Sequence, residues 1–287
     1  MASGNEVAEG HVTSRDGTRI GFQRRGSGPG LVLVQGAMAT AYNFNDLAEA
    51  LAPSFTVYTP DRRGRGMSAK PYDKGHEIAR DVEDLDALLA ETGASRVFGL
   101  SSGAMITLEA ARTLPRVTRA SVYEPPFYAK GISHDGIRQL NAEIEEGRLA
   151  SALVSALLVA ETAPAPLQVL PRPVLRLLAS GALLADDRRH GPYARLRDLL
   201  PGVRYDFNVV GGMDGKKDTL ASIDKPVLLI SGTRSPAFLQ QSIRTLASIL
   251  PQAQRVELEG LDHSGSWNAS RGGHPQVVAA ALRDFFA

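Results

Sequence analysis

Cysteine is absent from the 287-residue chain, which excludes disulfides, thiolate zinc sites and a thiol nucleophile. A surplus of either charge is also missing, with 32 Lys and Arg against 31 Asp and Glu. No long basic stretch interrupts that balance, so neither nucleic acid nor a membrane surface is expected as a partner. None of the six histidines lies in a His-Glu-x-x-His arrangement, and no metal or other cofactor is expected. No apolar run is long enough to span a bilayer. Residues 1–14 are polar and lack the apolar stretch of a signal peptide. Together these absences lead to the expectation of a cytoplasmic protein, monomeric or homodimeric, whose partner is a small molecule.

What is present is a large apolar fraction, 43% of residues, enough for a sizeable core. Strand-like and helix-like segments alternate along the first part. Strands are predicted at residues 19–24, 31–34, 55–58, 96–100 and 119–123. Residues 31–34, Leu-Val-Leu-Val, form a continuous apolar run, as suits a strand buried on both faces. Helical periodicity appears at 45–51, at 78–92 with Leu85, Leu88 and Leu89 on one face, and at 103–114. This alternation predicts an α/β fold: a mostly parallel sheet of eight-stranded type with helices on both faces. From Tyr128 to about Gly215 the pattern is helical throughout, with a helical pair at 137–160 and a helix at 174–184. Strands resume at 226–230 and 255–258, with helices near 242–250 and 275–286. The expected division is a core of residues 1–127 and 219–287, interrupted by a helical cap at 128–218.

Gly99-Leu100-Ser101-Ser102-Gly103 occurs directly after a predicted strand and directly before a predicted helix. A serine on such a sharp turn presents its hydroxyl at the sheet edge, and the flanking glycines leave room for the bend. The amides that follow sit at a helix N-terminus and can stabilise an oxyanion. The alternative is a serine that only caps the helix. A nucleophilic hydroxyl needs a general base. His263, just beyond the last predicted strand, lies at the same sheet edge as Ser101. His11, His76, His134, His190 and His274 do not follow a late strand and are poorer candidates.

Gly36 after an early strand, the segment Asp61-Arg62-Arg63-Gly64-Arg65-Gly66-Met67-Ser68, the Ser101 turn and Asp262-His263 together resemble the α/β-hydrolase fold family, over nearly the whole chain. The resemblance implies a serine hydrolase with a catalytic triad and an oxyanion hole, its amides those of Ala37 and Ser102. Gln35 stands where many members have histidine, a departure that leaves backbone donors untouched. The acid departs further. Family members usually place Asp after the strand that here ends at Ile230, yet that loop reads Ser231-Gly232-Thr233-Arg234-Ser235-Pro236. Ser235 could orient His263 but would not stabilise an imidazolium as a carboxylate does. Glu124, before Pro125-Pro126, lies just past the strand that follows the Ser101 helix. Some relatives, including zearalenone-lactonase-like hydrolases, carry their acid at this strand end, and the triad expected by resemblance is Ser101, His263 and Glu124. Asp262 is adjacent to the histidine and poorly placed to face it; Asp61 reads as a structural acid of its own turn.

Met38, Tyr42, Phe127, Tyr128 and Trp267 flank these loops and are the candidate substrate contacts, favouring an apolar substrate. The leading expectation is hydrolysis of a carboxylic ester or lactone. Serine at the turn argues against haloalkane dehalogenase and epoxide hydrolase chemistry, which need aspartate there. Carbon–carbon bond hydrolysis, perhydrolysis, hydroxynitrile lysis and a non-hydrolytic binding or cyclisation scaffold remain open on the sequence.

Overall fold

The computed structural model describes residues 6–162, 167 and 169–287. Residues 1–5 of the polar N-terminal stretch, and 163–166 and 168 of the expected cap, lie outside the described residues.

Eight strands form one sheet. They are β1 (Ala8–Thr13), β2 (Arg19–Arg25), β3 (Gly30–Val34), β4 (Thr56–Pro60), β5 (Arg96–Leu100), β6 (Arg119–Tyr123), β7 (Val227–Gly232) and β8 (Ala253–Leu258). Their spatial order is β1-β2-β4-β3-β5-β6-β7-β8. The first three pair antiparallel and the rest run parallel. Seven of the eight match the predicted runs within two residues, β8 beginning two residues earlier than its pattern suggested. β1 has no counterpart in the sequence reading. It is an edge strand with only Val12 buried, so it carries no apolar alternation to detect.

Alternation along the central strands sorts side chains onto two faces. Val32, Val34, Val97, Val122 and Leu229 pack with α2 (Ile78–Thr92) and α3 (Ser102–Thr113). Leu31, Leu33, Phe98, Leu100, Leu228 and Ile230 pack with α1 (Asn45–Leu51) and a C-terminal helix, Pro275–Phe286. Each fully buried side chain of this kind contributes about 1.5–3 kcal/mol relative to exposure. The registers bring Val34 beside Gly99, Leu100 beside Tyr123 and Tyr123 beside Ile230. The carboxyl ends of β3, β5, β6 and β7 therefore lie side by side, and the loops leaving them share one edge.

Between β6 and β7, among the described residues, the chain is helical. It forms α4 (His134–Glu145), α5 (Leu149–Val159), α6 (Arg172–Asp187) and α7 (Val203–Gly212). Gly147, at φ 70°, separates α4 from α5, the two helices of the expected pair. Pro173 sits in the first turn of α6, where its missing N–H costs nothing. After β7, α8 (Ala237–Ile249) starts earlier than predicted because Pro236 adopts the extended conformation that precedes a helix. Pro275–Phe286 is α9. Among the described residues no helix is long and apolar enough to cross a membrane.

Helix α7 fastens this insertion to the core. The Tyr205 hydroxyl donates to Pro71 O at 3.1 Å, and its ring lies edge-on to Tyr72 and His76. Asp206, 2% exposed, takes Arg62 Nη1 at 2.5 Å and Arg65 Nη2 at 2.7 Å. Arg62 is held from its other side by Asp81 of α2, whose second oxygen accepts from His76 Nε2 at 2.6 Å. Two guanidinium groups thus face two carboxylates in the interior, an arrangement that is costly to break by removing one partner.

Burial alone would raise the Asp81 carboxyl, but Arg62 and His76 outweigh it and bring it down to about 2. The ionised form therefore contributes stability that is fully present above the unfolded value of about 3.9 and is lost as pH falls toward about 2. Asp81→Asn is expected to flatten the fall of the thermal midpoint between about pH 4 and pH 2. Equal slopes in variant and parent would contradict this assignment.

Candidate active site

Strand β5 ends in a sharp turn at Ser101, which adopts φ 55° and ψ −123°. Space around the turn is exhausted. A Cβ on Gly99 would lie 2.3 Å from Thr107 Oγ1, and one on Gly103 would lie 2.4 Å from Gln35 O. The Ser101 side chain makes no capping hydrogen bond to α3, so its hydroxyl is not spent as a helix cap. Its amide donates to Tyr123 O at 2.9 Å, tying the turn to the neighbouring strand. The loop after β3 closes on the same serine: a Cβ on Gly36 would meet Ser101 Cβ at 2.9 Å. In that loop the Ala37 amide makes no hydrogen bond among the described residues. The Ser102 amide, in the first turn of α3, has no partner in the helical ladder.

Glu124 follows β6 and is fully buried, with φ 50°. Its amide donates to Ile230 O at 3.2 Å, one residue beyond the strand. Its carboxylate joins the end of β7 to the His263 loop. Oε1 accepts from the Gly232 amide at 2.9 Å, and Oε2 accepts from His263 Nδ1 at 2.7 Å. A buried ionised carboxylate only accepts, so this contact assigns the proton to Nδ1 and leaves Nε2 as the basic nitrogen. Tyr123, beside Glu124 in sequence, donates its hydroxyl to Asp262 O at 2.7 Å and so fixes the His263 loop. Burial, reinforced by Glu124, pushes the Tyr123 phenol far above its ordinary value and keeps it a neutral donor.

The structure thus brings His263 and Glu124 into contact. Among the described residues none of the other sequence candidates for a partner bonds His263. Asp262 Oδ1 accepts from the Ser264 amide and hydroxyl at 2.9 and 2.6 Å. Ser235 is buried, and its hydroxyl has no partner among the described residues. Asp61 accepts from the Ala41 and Met67 amides, at 2.6 and 2.8 Å, bracing the loop after β4. Ser101 and His263 both stand half-exposed and are not hydrogen-bonded to each other; contacts of this kind commonly tighten only with substrate in place.

Left-handed backbone concentrates here. Of four non-glycine residues with positive φ among the described residues, Met38, Ser101 and Glu124 stand at these loops. Such strain clusters where geometry is held for a task. Met38 is half-buried and packs, with Phe127 and Tyr128, against the core face under the insertion. The Tyr128 ring stacks on Phe238 at 5.1 Å and its hydroxyl donates to Ala160 O, so the side chain also packs the insertion onto α8. Tyr42 lies edge-on to Tyr193 of the insertion at 4.8 Å. Trp267 is half-buried against the opposite core face, its indole Nε1 buried without a partner among the described residues. Among the described residues no group of three or more histidine and acidic side chains is arranged to hold a metal ion.

Sequence reasoning missed Arg62, Arg65 and Asp206 as neighbours of this edge. The available signal was a solitary acid between Tyr205 and Phe207 on an apolar helix, together with two arginines beyond Arg63's own partner Asp84.

The family model described as Alpha/beta hydrolase family matches residues 31–281. Among solved structures the chain is similar to an alpha/beta hydrolase from Sphaerobacter thermophilus DSM 20745, with 33% identity and a TM-score of 0.77, covering 97% of this chain and 100% of that one. It shares its fold with a thermophilic esterase from Thermogutta terrifontis at 18% identity and a TM-score of 0.70, covering 97% and 98% of the two chains. Among curated proteins it is 32% identical over 133 residues to the uncharacterized hydrolase YraK of Bacillus subtilis (strain 168). That match takes in 45% of this chain and about half, 49%, of the relative's length.

The close approaches around the turn give a direct expectation. Gly103→Ala drives a methyl group against the Val34 and Gln35 carbonyls and should lower the unfolding free energy by about 1–3 kcal/mol in urea titration. An unchanged midpoint would show that the turn has more room than its geometry indicates.

Proposed function

The chain belongs to the alpha/beta hydrolase family, and on that premise we propose that it is a serine hydrolase cleaving a carboxylic ester or lactone of a small, largely apolar substrate. The observation that carries this reading is the 2.7 Å contact between His263 Nδ1 and the buried Glu124 carboxylate. It supplies a base of fixed tautomer at the edge where Ser101 is presented.

In the proposed reaction, Ser101 Oγ attacks the substrate carbonyl while His263 Nε2 takes its proton. Glu124 stabilises the imidazolium that forms, without itself being protonated. The Ala37 and Ser102 amides receive the developing oxyanion. Collapse of the tetrahedral adduct expels the alcohol, which takes the proton from His263, and leaves an acyl ester on Ser101. Water then attacks that ester, again losing a proton to His263, and frees the acid. Residues 128–218 serve in this reading as a cap over the edge, with Met38, Tyr42, Phe127, Tyr128 and Trp267 as substrate contacts. Support for an apolar substrate comes from the half-buried positions of Ala37, Met38 and Phe127. Support for acyl transfer comes also from the uncommitted Ser101 hydroxyl and Ala37 amide.

A fluorophosphonate probe should label the parent at Ser101 and leave Ser101→Ala unlabelled, with turnover of p-nitrophenyl esters lost in the same variant. A folded parent that neither reacts nor turns over ester would overturn the reading. Glu124→Gln keeps the shape of the acid and removes its charge, and kcat should fall by roughly 10³–10⁴-fold, as expected when a triad carboxylate is neutralised. A loss within about threefold would remove Glu124 from the mechanism.

A further inference from the structure

The buried ion cluster at the foot of the insertion does more than fasten α7. Its members touch both peptide segments that supply the proposed oxyanion donors. Arg65 Nη1 donates to Gly36 O at 3.3 Å and, at 3.5 Å, to Ala39 O. Arg62 Nη1 donates to the Ser102 hydroxyl at 3.0 Å and, more distantly, to Gln35 O at 3.4 Å. The Ser102 hydroxyl in turn donates to Asp206 Oδ1 at 2.7 Å. Asp206 therefore holds Arg62, Arg65 and Ser102 at once, from a helix 104 positions away from Ser102 in sequence.

Peptide geometry turns these contacts into a functional statement. In a trans peptide the carbonyl of one residue and the N–H of the next belong to one planar unit and point in opposite directions. The Gly36 carbonyl and the Ala37 amide form such a unit. A guanidinium on the carbonyl end fixes the direction of the N–H end and polarises it into a better donor. Arg62 and Asp206, bound to the Ser102 hydroxyl, likewise hold the first residue of α3 in place. The Arg62, Arg65, Ser102 and Asp206 residues are each at most 5% exposed, so water does not compete for these side chains. Burial opposes ionisation of Asp206, but Arg65 and Arg62 outweigh it and hold its carboxyl below the ordinary range, leaving it a charged acceptor.

We infer that Asp206, acting through Arg65 and Arg62, is a positioning residue for the oxyanion hole, so that the insertion sets the strength of the catalytic donors in addition to covering the substrate. This inference rests on the serine-hydrolase reading above. Asp206 touches no reacting atom. Its contribution appears in the transition state, where negative charge develops on the carbonyl oxygen, and not in ground-state binding.

The test compares parent, Asp206→Asn, Arg65→Gln and Ser102→Ala, with active sites counted by fluorophosphonate titration so that misfolded protein is not scored. Losing an oxyanion donor outright costs about 10²–10³ in kcat, and loosening one should cost less, about 10- to 100-fold in Asp206→Asn and Arg65→Gln. Ser102→Ala leaves every charge in place and should lose less than either. KM for a p-nitrophenyl ester should stay within about threefold, since uniform binding is untouched. Affinity for an alkylboronic acid, which forms a tetrahedral anion on the serine, should fall in parallel with kcat. A merely structural role would lower the count of titratable sites or raise KM without that parallel. If Asp206→Asn does not fold, Arg65→Gln and Ser102→Ala carry the same comparison. Parent-like kcat per titrated site and parent-like boronate affinity in the folded variants would overturn the inference while leaving the serine-hydrolase reading intact. Absence of Ser101-dependent turnover in the parent would overturn both.

Discussion

The exit of strand β6 carries more of the site than any other part of the molecule. Two adjacent residues there hold three loops. The Tyr123 carbonyl takes the Ser101 amide and its hydroxyl reaches Asp262 O, while the Glu124 amide extends the sheet to Ile230. The Glu124 carboxylate then spans the Gly232 amide and His263. A carboxylate with no solvent exposure is costly unless hydrogen bonds replace its water. Both of its oxygens are satisfied, one from the end of β7 and one from the His263 loop, so the acid and the geometry it imposes depend on each other. Moving either partner would leave a buried charge with half its hydrogen bonds, which gives the arrangement one well-defined minimum.

That placement is held under strain. Glu124, Ser101 and Met38 each sit in left-handed backbone, a conformation costing on the order of 1–3 kcal/mol for a residue with a side chain. The parallel strands beneath supply the rigidity that sustains it, since β3, β5, β6 and β7 are buried on both faces and in register at their carboxyl ends. The insertion contributes from the other side. Its Asp206 satisfies two buried arginines that the loop after β4 could not otherwise accommodate. Core and insertion therefore meet through charge and hydrogen bonds as well as apolar packing, and this junction lies against the loops that present the Ala37 and Ser102 amides.

Much of this was legible from residue order because it rests on local patterns. Continuous apolar runs marked the central strands, and the Gly99–Gly103 turn between a strand and a helix marked Ser101. Glu124 was visible because a carboxylate stood immediately past a strand end, while the loop of Ser231 to Pro236 lacked one. Strand β1 was not legible, since an edge strand with one buried residue has no pattern of its own. The Asp206 cluster was not legible for a different reason. Its pairs join positions 141 and 144 apart, and nothing near Arg62 or Arg65 names the acid that meets them. Helix α7, where Tyr205 and Asp206 dock onto the core, likewise blended into the surrounding helical segment.

In the proposed mechanism Glu124 and His263 act as one unit. A double-mutant cycle on kcat/KM for a p-nitrophenyl ester, using Glu124→Gln, His263→Ala and the double variant, tests it most directly. Residues that work as a unit are strongly non-additive, so the double variant should be about as slow as His263→Ala alone. Losses that multiply in the double variant would mean that the two side chains act independently, which would contradict a shared catalytic role for their contact.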